Sequence, residues 1–198
     1  MSRVQYYCAA TLDGYIAGPG DELDWLLGYE PAERDEGAAA DPMAEGGSYE
    51  RFYDGVGALV SGSVTYEWIL EHLDEWPYAG KPYWVLSSRD LARPPGAEAE
   101  VRVVEAAVAE IHDELAAAAG ERNLWIVGGG PVASQYAEAG LLDEVLLTVV
   151  PVMLGEGKPL FERPPPGGPL RLTGTTALAS GMVELRYELG DGRAAGGG

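Results

Sequence analysis

Three consecutive glycines and a proline interrupt the stretch Leu124-Trp-Ile-Val-Gly-Gly-Gly-Pro-Val-Ala-Ser-Gln-Tyr136. The apolar residues before them read as a short buried strand, and the segment from Pro131 onward reads as a helix. Pro131 suits a first helical position, where its missing N–H costs nothing. Strand, glycine turn and helix in that order aim backbone N–H groups and the positive end of a helix dipole at one point, which suits an anionic ligand. Gly128, Gly129 and Gly130 carry no side chains, so a ligand can lie directly on the main chain. The plainer alternative is a tight turn that needs glycine only for its own geometry. Three glycines and a proline exceed what such a turn requires, so phosphate is the expected ligand. The literal pattern G-x-G-x-x-A at Gly128, Gly130 and Ala133 does not make a conventional Rossmann unit. The turn lies late in the chain, and Val149-Val-Pro151 stands where an acid would hold a ribose.

Hydrophobic residues make up 46% of the 198, enough for the core of one domain, expected over residues 1–189 with a long loop at 18–47. The glycine-rich tail 190–198 is expected to be disordered. Lys and Arg total 13 against 32 Asp and Glu, a net charge of −19. That excludes nucleic acid and anionic membrane as partners, because both need a basic surface. The lone Cys8, inside the apolar run Val4 to Ala10, is expected as a buried thiol with no disulfide role. The first residues reach Asp13 too soon for a signal peptide, and no apolar run approaches the roughly 18 residues of a membrane span; a cytoplasmic protein is the simplest expectation. One Cys and two His give no metal-ligand cluster. His72 and His112 fall in expected helices without a paired nucleophile, and Asp21-Glu-Leu-Asp24 lacks the spacing of a calcium loop.

The pattern predicts strands at 4–11, 57–61, 82–87, 101–104, 124–127 and 145–152. It predicts helices at 24–27, 48–54, 64–76, 105–119 and 131–139. Segments 170–177 and 182–189 pair as a hairpin across Leu178-Ala-Ser-Gly181. Alternating strands and helices with a closing hairpin imply an α/β sheet, parallel in its middle and antiparallel at one edge.

Two further strand ends carry phosphate-type chemistry. In Ser61-Gly-Ser-Val-Thr65, Gly62 permits close approach, and the Ser63 and Thr65 hydroxyls either bond a phosphate or cap the following helix. Ser87-Ser-Arg89 offers two hydroxyls and a guanidinium fork to a terminal phosphate, against the plain alternative of a turn ending in a solvated Arg. Sheets of this kind bind ligands at the carboxyl ends of their strands. Three such ends would suit a dinucleotide, and a 2′-phosphate would make it NADP rather than NAD.

The ordered set Thr11-Leu-Asp-Gly-Tyr-Ile-Ala17, Gly62-Ser-Val-Thr-Tyr66, Val85-Leu-Ser-Ser-Arg89, Val127-Gly-Gly-Gly130, Leu142-Asp-Glu-Val145, Pro151-Val-Met-Leu-Gly-Glu-Gly157 and Pro159-Leu-Phe161 resembles the dihydrofolate reductase-like superfamily. It is most similar to the branch containing the C-terminal reductase domain of riboflavin biosynthesis and its stand-alone bacterial relatives. The resemblance implies a three-layer α/β/α fold with a mixed central sheet, NADPH across its carboxyl edge, and a homodimer. It implies that Leu12 to Ile16 form a mobile loop beside the nicotinamide, and that Gly62, Ser63, Val64 and Thr65 hold the pyrophosphate with Val127, Gly128, Gly129, Gly130, Pro131 and Val132. Ser87, Ser88 and Arg89 would surround the 2′-phosphate, and the Gly128–Gly129 peptide would be cis. Two positions depart from the pattern. Ser63 stands where the family usually has Arg after the glycine, which removes one phosphate contact. The region Asp41 to Glu50 offers no single acid that a pterin would require, and Glu45 and Glu50 read as solvated carboxylates.

Hydride transfer from NADPH to an electrophilic C=N or C=O of a small heterocycle is the implied reaction. Asp13 is a candidate proton donor, with a turn residue bonding its own backbone as the alternative. Trp25, Tyr49, Phe52 and Tyr53 are candidates for a wall that stacks on a flat pterin-, pyrimidine- or flavin-like substrate, with core packing as the alternative. Arg34 and Arg51 are the obvious cations for a substrate phosphate. A nucleotide-binding protein without catalysis, and a true dihydrofolate reductase, remain the other readings.

Overall fold

A computed structural model describes residues 2–35, 37–44, 47–94, 100–166 and 168–189; Glu45 and the tail 190–198 lie outside the described residues. In chain order the elements are β1 (Val4–Thr11), β2 (Tyr15–Ala17), α1 (Asp24–Leu27), α2 (Ser48–Asp54), β3 (Val56–Gly62), α3 (Ser63–His72), β4 (Tyr83–Leu86), β5 (Val101–Val104), α4 (Val108–Ala119), β6 (Asn123–Gly128), α5 (Gly130–Glu138), β7 (Glu144–Val150), β8 (Lys158–Pro159), β9 (Arg171–Ala177) and β10 (Val183–Glu188). Eight strands form one sheet in the order β5-β4-β3-β6-β1-β7-β10-β9. The six from β5 to β7 run parallel, while β10 is antiparallel to both β7 and β9.

Helices cover both faces of the parallel part, and the strand sequences show why. Neighbouring residues of a strand point to opposite faces. Tyr6, Val60, Trp84 and Ile126 therefore join one core with Val108, Ile111 and Leu115 of α4 and Val132 and Tyr136 of α5. Tyr7, Leu59, Tyr83, Val85 and Trp125 join the other, beneath Tyr66 and Ile69 of α3. Strands buried on both sides need continuous apolar runs, which is what these segments carry.

Helix α3 stops at His72 instead of reaching Trp76 as the periodicity suggested, and Leu73 is extended. Pro77 biases the residue before it away from helical geometry. Trp76 turns back and packs its ring against Tyr66, Tyr78 and Tyr83. The segment 12–18, read as a turn, contains β2, which pairs antiparallel with β8. Strand β7 has both edges taken, by β1 and β10. The edge strand of the hairpin is β9.

Candidate functional site

Parallel strands end on the same edge of a sheet, and here the register is explicit. Gly62 at the end of β3 lies beside Leu86 of β4, and Ser61 lies beside Gly128 of β6. Between Val60 and Ser61 the β6 register advances by two residues, leaving Val127 as an extra residue in the strand. Such bulges bend a strand and re-aim its side chains. A cleft of about 590 Å³ opens at this edge, within the size range of ligand sites. Ile16, Gly62, Ser63, Val64, Thr65, Val127, Gly128, Gly129, Gly130, Pro131 and Val132 all line it.

The two turns pack directly on each other. A Cβ on Gly62 would stand 3.4 Å from Val132, and one on Gly128 would stand 2.8 Å from Thr65 Oγ1. The Gly128–Gly129 peptide is cis. Helices α3 and α5 begin here, after Gly62 and Gly129, and neither has a side-chain cap. The first N–H groups of a helix have no partner within it, so two uncapped N-termini in one cleft leave donors for an anion.

The glycine triplet divides by its surroundings. A Cβ on Gly130 would meet the Pro159 carbonyl oxygen at 2.5 Å, so chain packing alone demands glycine there. Gly129 is different: its Cβ would find nothing closer than 3.7 Å, and the space beside it is the cleft. That open backbone leaves room for a ligand to lie directly on the main chain.

Ser87, Ser88 and Arg89 follow cleft-lining Leu86 but do not themselves line the cavity. The Ser87 hydroxyl accepts the Arg89 N–H at 3.0 Å, a local turn contact. The Arg89 guanidinium forks onto the Glu67 carboxylate of α3, with Nη1 to Oε1 at 3.0 Å and Nη2 to Oε2 at 2.5 Å. Leu12 is 63% exposed and is not on the cleft wall. The loop it begins is tied down: Leu12 N–H donates to the Val152 carbonyl at 2.8 Å, and Leu160 N–H to that of Gly14 at 3.0 Å.

Asp13 is not placed to act as a proton donor. It is absent from the cleft wall, and its carboxylate accepts the Thr11 hydroxyl at 2.5 Å, Gly155 N–H at 2.7 Å and Leu154 N–H at 3.1 Å. Donation by Thr11 and then by Gly155 holds the carboxyl below its ordinary range, the reverse of what a neutral-pH acid needs. Asp13 is the turn residue of its alternative reading, extended to pin a loop some 140 residues away.

The aromatic wall also resolves into packing. Tyr49, Phe52 and Tyr53 surround Trp125 at 6.0, 5.2 and 6.3 Å between ring centroids, and none of them lines the cleft. Trp25 makes no ring contact with them and is likewise off the cleft wall. Arg34 pairs with Asp41 at 2.8 Å, and Arg51 lines a separate polar cavity with Gln5, Ser48 and Glu184. The aromatic surface of the cleft comes instead from Tyr6, Trp68, Tyr78 and Trp125, which the sequence reading did not select. Its charged groups, among the described residues, are Asp21 and Lys158, 3.7 Å apart. Apolar runs and a turn in the sequence disguised all six. Lys158 reaches the cleft only through the β2–β8 pairing. Glu50 is exposed, so no carboxylate from α2 enters the site. Cys8 is partly buried against the core beside the cleft, and burial pushes its thiol up to about 12.

The family model of the RibD C-terminal domain matches residues 78–184. The uncharacterised protein YwjB of Bacillus subtilis is 31% identical over 182 residues, 91% of this chain and 94% of that one. A solved protein of Shewanella sp. PV-4, provisionally named for riboflavin biosynthesis, is 28% identical with a TM-score of 0.75, covering 95% of this chain and 98% of its own. Dihydrofolate reductase of Enterococcus faecalis, solved with NADP(H), is 18% identical with a TM-score of 0.57 over 94% of each chain, a likeness of fold. The fold is dihydrofolate reductase-like, α/β with a mixed eight-stranded sheet.

Proposed function

The chain belongs to the RibD C-terminal domain family, and from that premise we propose that it is an NADPH-dependent oxidoreductase that reduces a C=N or C=O of a small heterocycle. Pterin-, pyrimidine- and flavin-like compounds are the proposed substrates. The observation that supports this reading best is the meeting of two uncapped helix N-termini and the open backbone of Gly129 in one cleft. Bound there, the cofactor supplies the hydride. The chain's own work is to hold and enclose. Backbone N–H groups at Ser63 to Thr65 and at Gly130 would hold the pyrophosphate, with the Ser63 and Thr65 hydroxyls as further donors. Ile16 would cover the nicotinamide, while Trp68, Tyr78 and Trp125 would give a flat ring an apolar, water-poor surface. With Asp13 committed to its loop, a proton reaches the product from water.

A thermal melt tests cofactor binding. NADPH at about a hundred times its dissociation constant adds roughly 2.7 kcal/mol, which should raise the midpoint by roughly 5–10 °C. Loss of absorbance by NADPH in the presence of dihydropterins, quinones, flavins or ribosylaminopyrimidines then tests turnover. A midpoint that does not move removes the cofactor reading.

A second reading, a nucleotide-binding protein without catalysis, is favoured by the absence of any carboxylate on the cleft wall other than ion-paired Asp21, among the described residues. A stable NADPH complex that stays silent across the whole panel would select it. The same observation weighs against a true dihydrofolate reductase, and failure of antifolates to bind would close that reading. Among the described residues no helix is long and apolar enough to cross a membrane, which supports the proposed cytoplasmic location. A homodimer formed through the sheet would use the edge strand β9, and light scattering measures it.

A further inference from the structure

The guanidinium that the sequence offers to a 2′-phosphate is already held by a carboxylate. Arg89 and Glu67 meet fork to fork at 3.0 and 2.5 Å. Their side chains are 54% and 36% exposed, so the pair sits at the surface and can be opened. Glu67 lies four residues after Ser63, hence on the same face of α3, and Ser63 and Val64 line the cleft. Arg89 follows Leu86, which lines the cleft from the neighbouring strand. The pair therefore borders the cavity where α3 and the end of β4 approach each other.

We propose that Glu67 sets which nicotinamide dinucleotide this chain prefers, by occupying the Arg89 fork that a 2′-phosphate would need. The inference rests on the cleft being a nicotinamide dinucleotide site. A phosphate monoester carries close to two negative charges; to take the same two Nη groups it must displace the carboxylate, and to bond the remaining N–H groups it must stand beside it. A ribose 2′-hydroxyl carries no charge and can donate to the outer lone pairs of Glu67 while Arg89 stays paired, the arrangement by which an acid reads an unphosphorylated ribose. Across a chain of net charge −19, nothing at long range offsets the repulsion of the extra phosphate. The Glu67 carboxylate therefore narrows the margin by which the chain favours NADPH over NADH.

Equilibrium titration of each dinucleotide against tryptophan fluorescence tests this, since Trp68 and Trp125 line the cleft and report occupancy without turnover. The proteins are the wild type, Glu67→Gln, Arg89→Gln and the double variant. Both residues are exposed, so all four should fold, and unchanged melting midpoints without ligand check it. Glu67→Ala, which leaves nothing at the fork, should act with the same sign. Relative to the wild type, Glu67→Gln should tighten NADPH roughly three- to tenfold while leaving NADH unimproved. That gain should vanish when Arg89→Gln is added, because Glu67 acts through the guanidinium. If both dinucleotides bind and Glu67→Gln leaves their ratio unchanged or shifts it toward NADH, the inference is overturned and the proposed function stands. If neither dinucleotide binds, both fall.

Discussion

Gly129 and Gly130 are neighbours of one residue type with different reasons to be glycine. Gly130 has the Pro159 carbonyl where a Cβ would go, so Gly130→Ala should destabilise the fold by about 1–3 kcal/mol in chemical denaturation. Gly129→Ala should leave that midpoint nearly unchanged, since its Cβ meets only ordinary contacts. The added methyl stands in the cleft, however, and should weaken dinucleotide binding about tenfold or more by calorimetry. Asp13 gives a second separation of roles. Its carboxyl is held low by Thr11 and Gly155, so its tether to Leu154 and Gly155 is present at neutral pH. A group depressed on folding loses its contribution only as pH falls through the folded value, below the ordinary carboxylate pKa of about 3.9. Asp13→Asn should therefore speed amide hydrogen exchange at Leu154 and Gly155 at neutral pH, an effect the wild type shows only in stronger acid. Cys8 makes a third case. With its thiol pushed up to about 12, it should stay unreactive toward aromatic disulfides near neutral pH and react promptly once the chain is unfolded.

At the scale of elements, α2 shows how a plausible ligand wall becomes a docking face. The helix has only seven residues, too few to be stable alone, and no residue that is fully buried. Its attachment is aromatic: Phe52 meets Tyr7 at 4.6 Å and Trp125 at 5.2 Å, and Tyr49 stacks with Tyr53 at 5.8 Å. Phe52→Ala should accordingly lower stability by about 2–3 kcal/mol in urea unfolding, while the dissociation constant for NADPH stays within about twofold of wild type. A raised KM for the heterocyclic substrate without loss of stability would return α2 to the substrate wall. The pairing of β2 with β8 acts at the same scale. It fixes the loop from Leu12 to Ala17 against the segment that brings Lys158 to the cleft, 3.7 Å from Asp21.

For the whole molecule the dominant long-range quantity is charge. A chain carrying −19 repels an anionic dinucleotide before any contact forms, and the Debye length shrinks from about 30 Å at 0.01 M salt to about 8 Å at 0.15 M. Association of NADPH, followed by stopped-flow fluorescence, should therefore quicken several-fold as salt rises through that range. Slowing with salt would mean that a local cationic patch overrides the net charge.

What the residues determine alone is local and periodic. Continuous apolar runs specified the parallel strands, because the successive residues of Tyr6-Tyr7, Leu59-Val60 and Trp125-Ile126 face opposite helix layers and both must be apolar. The glycine turn and the α3 N-terminus were legible as ligand-facing backbone, because backbone exposure at a strand end depends on neighbours in sequence; Ile16, which also lines the cleft, was expected only from the family resemblance. Tertiary structure decided the rest. Asp13, the α2 aromatics and Arg89 each spend their chemistry on partners 22 to about 140 residues away. Trp68, Tyr78, Asp21 and Lys158 enter the cleft only through packing and pairing between distant segments. Side-chain chemistry belongs to a residue, but the partner that uses it is chosen by chain topology, and a single sequence read in order does not contain that choice in local form.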